Sequence, residues 1–143
     1  MSGAWERTHR RYRLVHAVLD EVARTGQPVV PAALRADVDA EFGDFGGFMR
    51  EVRRRWQRSF DARLDGLLES PPEHRVAAAR ALWRELAADL PETRLMLDTY
   101  AAHPALAEPA ERHQEALAGY GEDELRTVPP TCPVTRWWRR ASA

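Results

Sequence analysis

The sequence predicts an all-α protein, a small antiparallel bundle of five to six helices followed by an irregular C-terminal tail. Three observations carry that prediction. Apolar residues recur at steps of three, four and seven over most of the chain, which is the period of an amphipathic helix. Glycine and proline fall between those runs, where helices stop and start. Strand-like alternation never exceeds about three residues, which argues against a sheet, and no internal repeat suggests a solenoid.

The first helix is expected to begin after Ser2 and to run to about Thr25, with Trp5, Tyr12, Val15, Leu19 and Val22 on its apolar stripe. Gly26 supplies a left-handed stop and Pro28 prevents resumption. In the second segment Pro31 suits a first turn, Leu34, Val38 and Phe42 share one face, and Gly43 ends the run. The third helix has Asp44 as its N-cap and an uninterrupted stripe of Phe45, Phe48, Met49, Val52, Trp56, Phe60, Leu64 and Leu67, which makes it the expected spine of the core. Gly46 and Gly47 sit in its first turn, where each costs about 1 kcal/mol of helix propensity against alanine, so either another element packs closely there or the start frays.

Ser70-Pro71-Pro72-Glu73 has the form of a capping box with proline at the first helical position, and predicts a fourth helix carrying Val76, Ala79, Leu82, Trp83, Leu86 and Leu90 inward. Pro91 then demands a turn or kink. A short fifth helix follows with Leu95, Met96, Thr99 and Tyr100, ending near His103-Pro104, and a sixth runs from about Ala105 to Leu117. The expected organisation is a helical domain over 1–121 and a tail over 122–143, in which Pro129, Pro130 and Pro133 forbid regular structure and Trp137-Trp138-Arg139-Arg140 stands near the end.

A chain of 143 residues is long enough to bury a core without disulfides or a metal. Its 21 basic residues are balanced by 22 acidic ones, so no global field draws it onto a polyanion. Every basic residue is arginine, which excludes a catalytic, Schiff-base or phosphate-loop lysine and indicates a bacterial genome rich in G and C. One cysteine, no signal-peptide core and no apolar run long enough to span a membrane predict a cytoplasmic location.

No segment carries a specific catalytic, metal-binding or nucleotide-binding signature. Glu6-x-x-His9 has the spacing of a di-iron helix motif but lacks its second copy, and the histidines at positions 9, 16, 74, 103 and 113 never pair at zinc-helix spacing, so neither metal nor cofactor is expected. No serine has a nucleophile's context, and Cys132, in Thr131-Cys132-Pro133, has no resolving partner. Arg50, Arg54 and Arg58 form a ridge on the third helix that could hold phosphates, although acidic neighbours can neutralise it. Nucleic-acid binding is therefore the third-ranked reading.

The first-ranked reading is a non-enzymatic interaction or regulatory module acting by protein–protein contact. Its partner is another protein or a second copy of the chain, met by Trp137, Trp138, Arg139 and Arg140 and by the arginine ridge, since tryptophan and arginine are prominent among interface hot spots. The competing reading is a small-molecule-binding or enzymatic bundle with an inter-helix pocket lined by Trp56, Trp83, Met96, Tyr100 and His103.

Overall fold

Helix boundaries follow the punctuation of the sequence. The computed structural model describes residues 2–69 and 71–107. They form α1 (Ser2–Thr25), α2 (Arg35–Phe42), α3 (Phe45–Leu64), α4 (Arg75–Asp89) and α5 (Pro91–Thr99), with short 3-10 turns at Ala32–Leu34, Asp65–Glu69, Pro72–His74 and Pro104–Leu106. The protein is all-α, with no strand among the described residues. No helix among them is long and apolar enough to cross a membrane. The sixth helix expected from Ala105 begins within the last 3-10 turn, and its remainder, like the boundary at Gly121, lies outside the described residues.

Each terminus has a local cause. Gly26 stops α1 at φ 70°, a left-handed conformation that glycine adopts without penalty, and its N–H donates to the Val22 carbonyl at 2.8 Å. Gly43 closes α2 at φ 86°. Asp44 caps α3, its Oδ1 accepting from the Gly47 N–H at 2.7 Å. The fourth helix starts later than the Ser70 box implies. Proline disfavours the α conformation in the residue before it, so Pro72 keeps Pro71 out of the helix. One 3-10 turn intervenes, with His74 N–H donating to the Pro71 carbonyl at 2.9 Å, before α4 begins at Arg75. The same rule confines the break at Pro91 to one residue: Leu90 leaves the α conformation (φ −124°, ψ 59°) and Pro91 opens α5.

The described residues divide into two compact units, one of residues 2–53 and 92–107, the other of residues 54–91. In the first, Val15, Val18 and Val22 of α1, Val38 of α2, Phe48, Met49 and Val52 of α3 and Met96 of α5 are fully or almost fully buried. In the second, Trp56 and Phe60 of α3 and Trp83 and Leu86 of α4 form the core, and Arg63 pairs with Asp89 at 2.8 Å. The stripe predicted for α3 is thus buried from Phe48 to Leu64 and is shared between the units. The glycine pair is explained by close packing: a Cβ on Gly46 would lie 3.0 Å from the Ala105 Cβ and 3.3 Å from the His103 ring.

The fifth helix ends at Thr99, short of the expected His103-Pro104, and the expected face of α1 is overturned. Trp5 and Tyr12, placed by spacing on the apolar stripe of α1, are 68% and 54% exposed. The buried residues are Leu14, Val15, Val18, Leu19 and Val22. At 100° per residue, Trp5 and Tyr12 lie roughly a quarter-turn from the centre of that face.

Candidate functional site

Every residue from Ser2 to Arg13 is exposed, and burial in α1 begins at Leu14. The row that carries Leu14 and Val18 continues toward the N-terminus through Arg11 and Arg7, with Ala4 and Thr8 beside them, so no large apolar side chain extends the seal. Arg11 closes the packed part instead. Its guanidinium donates to the Glu41 carbonyl at 3.0 Å, lies 3.6 Å from the Glu41 carboxylate and sits 5.5 Å over the Phe42 ring. Arg10 pairs with the same carboxylate. Glu41 and Phe42 end α2, where carbonyls lack intrahelical donors, so the two cations complete the negative pole of that helix. Arg11→Ala is expected to cost about 1–2 kcal/mol in urea unfolding. Arg11→Lys should recover only part of this, because an ammonium cannot reproduce the planar fork.

Beyond this clamp, α1 presents an aromatic column. Trp5, His9, Tyr12 and His16 share one face; Trp5 and His9 stack with centroids 5.1 Å apart and planes 8° apart, and Tyr12 meets His16 at 4.3 Å. Arg7, Arg10, Arg11 and Arg13 surround it, with Glu6 as the single acid of the segment. Where this half of the helix meets the packed half, a shallow groove of about 510 Å³ opens, lined by Arg10, Arg13, Leu14 and Ala17 of α1 and by Asp37, Ala40 and Glu41 of α2.

A second concavity of about 320 Å³ has apolar walls of Val29, Val30, Val38, Phe45 and Tyr100, with Arg35 and Asp39 as its charged lining. Its walls are fixed by contacts that do not involve an occupant. The Tyr100 hydroxyl donates to the Pro28 carbonyl at 2.7 Å, and the Tyr100 ring meets Phe45 edge-on at 4.8 Å. Val29 and Val30 carry no helical periodicity because they lie between Pro28 and Pro31. The segment turns at Val29, whose N–H donates to the Gln27 carbonyl at 2.9 Å, and Val30 is buried while Val29 stays exposed at the pocket.

The five aromatic, Met and His positions singled out as a pocket lining are distributed over two clusters. Trp56 and Trp83 pack edge to face at 5.0 Å in the second unit, joined by Phe60 at 5.4 Å from Trp83. Met96 is fully buried in the first unit. Tyr100 and His103 both meet the Phe45 ring, at 4.8 and 5.7 Å, and Tyr100 lines the pocket just described. His103 caps the turn that follows it, Nδ1 accepting from the Ala105 N–H at 3.1 Å.

Arg50, Arg54 and Arg58 are exposed along α3, and Arg54 and Arg58 are each engaged with a neighbouring group. Trp137, Trp138, Arg139, Arg140 and Cys132 lie outside the described residues. Among the described residues no three His, Cys, Asp or Glu side chains come together to hold a metal ion. Comparison of the chain with protein-family models, with curated proteins and with solved structures finds no match in any of the three.

Proposed function

We propose that the protein is a non-enzymatic interaction module acting by protein–protein contact, with the outward half of α1 as its contact surface. The observation that supports this reading is the unbroken exposure of residues 2–13 around Trp5 and Tyr12. Twelve helical residues make a rod of about 18 Å. Tryptophan, tyrosine and arginine are the side chains that most often dominate binding energy at interfaces, and six of these twelve residues are of those types. A helix presented this way is read by a partner groove that takes its aromatic anchors at successive turns.

Charge selects the partner. With Arg10 and Arg11 engaged by Glu41, Arg7 and Arg13 against Glu6 leave a small positive excess, which favours an acidic protein surface over a second copy that would set arginine against arginine. The tail with Trp137-Trp138-Arg139-Arg140 repeats the same two residue types and is the second contact element of this reading. A bacterial cytoplasm as the setting is supported by the lone Cys132 and the all-arginine composition. Nucleic-acid binding through Arg50, Arg54 and Arg58 ranks lower, because the chain as a whole is slightly acidic.

Trp5→Ala combined with Tyr12→Ala should leave stability within about 0.5 kcal/mol of the parent, as for other exposed sites. A photoreactive phenylalanine analogue at position 9, activated in the native host, is expected to give an adduct with an acidic protein, lost when Trp5 and Tyr12 are both alanine. Adducts in equal yield from the exposed Ala77 position on α4, or no loss in the double variant, would remove the reading. An adduct with RNA or DNA that disappears between low and moderate salt would replace it with the nucleic-acid reading.

A further inference from the structure

The pocket beside α2 supports an inference that does not rest on the protein-contact reading. Arg35 and Asp39 stand four residues apart on one helix, the spacing at which opposite charges pair, yet among the described residues neither side chain makes a hydrogen bond or ion pair. A cation and an anion are therefore both offered to an occupant of the same small cavity. The remaining walls, Val38, Phe45 and Tyr100 among them, are apolar and are held by the Tyr100 hydroxyl on the Pro28 carbonyl and by the Phe45–Tyr100 ring contact. Such a site exists before its ligand arrives, which lowers the ordering cost of binding.

Size and charge together define the ligand class. At about 320 Å³ the cavity lies at the lower end of the range for small-molecule sites and has room for one ring or one branched aliphatic group with a compact head. A simple carboxylate entering it would face Asp39, and a simple amine would face Arg35, so each singly charged amphiphile meets one repulsion for every attraction. A zwitterion meets two attractions. We infer that the pocket binds a free apolar α-amino acid, its carboxylate on Arg35, its ammonium on Asp39 and its side chain against Phe45 and Tyr100.

The test is calorimetric titration of the full chain with L-phenylalanine, phenylacetate and phenethylamine, three probes that share one ring and differ in charge. Phenylalanine is expected to bind at least about tenfold more tightly than either singly charged probe. Arg35 and Asp39 are exposed, so Arg35→Gln and Asp39→Asn should melt with the parent protein. Each should weaken phenylalanine about tenfold, and Asp39→Asn should at the same time strengthen phenylacetate, because the repulsive partner is gone. Equal or tighter binding of a singly charged probe, indifference of phenylalanine to both substitutions, or no heat up to about 10 mM overturns the inference. None of these outcomes touches α1, so the contact reading stands or falls separately.

Discussion

Trp83→Ala is expected to destabilise the protein by about 4 kcal/mol, within the range of about 3–5 kcal/mol for emptying a large aromatic site. The indole is almost fully buried and packs edge to face on two other rings, Trp56 at 5.0 Å with a 71° interplanar angle and Phe60 at 5.4 Å with 73°. Each such pair adds about 0.5–1.5 kcal/mol beyond the area it covers. Truncation therefore removes the transfer energy, both ring contacts and the support of Trp56, itself 2% exposed. Against a typical domain stability of about 5–15 kcal/mol this is a large fraction. Trp83→Phe keeps one ring and should lose about half as much. Urea unfolding followed by far-ultraviolet circular dichroism measures both. If Trp83 lined a ligand site instead of a core, its removal would change stability by less than about 1 kcal/mol, and the packing account of the second unit would fail.

The contrast between these tryptophans and Trp5 shows what periodicity conveys. In α3 and α4 the apolar rows are long, so the face predicted from spacing is the face that is buried, from Phe48 through Leu64 and from Ala79 through Leu86. Chain punctuation is equally readable, because Gly26, Gly43, Asp44 and Pro91 act through backbone geometry that needs no distant partner. In α1 the spacing of Trp5 and Tyr12 is helical, but helical spacing places residues on a common face without saying whether that face meets anything. The decisive signal lay in the neighbouring row, where Arg7 and Arg11 continue the line of Leu14 and Val18 and leave no apolar surface to bury.

The pocket was illegible for a different reason. Its lining comes from a proline-bracketed linker, one face of α2, the first residue of α3 and the end of α5, which only the tertiary fold brings together. Of that lining, the sequence places Val38 and Phe45 on apolar faces and only Tyr100 at a pocket, one of different composition. Arg35 and Asp39 have the four-residue spacing at which opposite charges can pair along a helix, and the structure shows that they do not close on each other.

Alanine at position 47 should cost about 2 kcal/mol or more, although alanine is the better helix former. Gly47 lies in the first turn of α3, and a Cβ there would fall well inside contact distance of the Phe42 carbonyl oxygen and 3.1 Å from its carbon. Backbone at the end of α2 cannot rotate away as a side chain would, and Phe42 is held in place by the Arg11 cation over its ring. Overpacking of this kind costs about 1–3 kcal/mol and sometimes more, against a propensity gain of about 1 kcal/mol. The clash also threatens the Asp44 cap, because the Gly47 N–H is the donor that Asp44 accepts. Gly66→Ala is the control, since nothing lies within 4 Å of its Cβ position. It should be neutral or stabilising by about 0.4–1 kcal/mol through the unfolded chain. Thermal melts should therefore separate the two substitutions by about 5–10 °C. Coincident melts would mean that α2 and α3 yield at their junction, and Gly47 would then be dispensable to the turn between the helices that bring Val38 and Phe45 to the pocket.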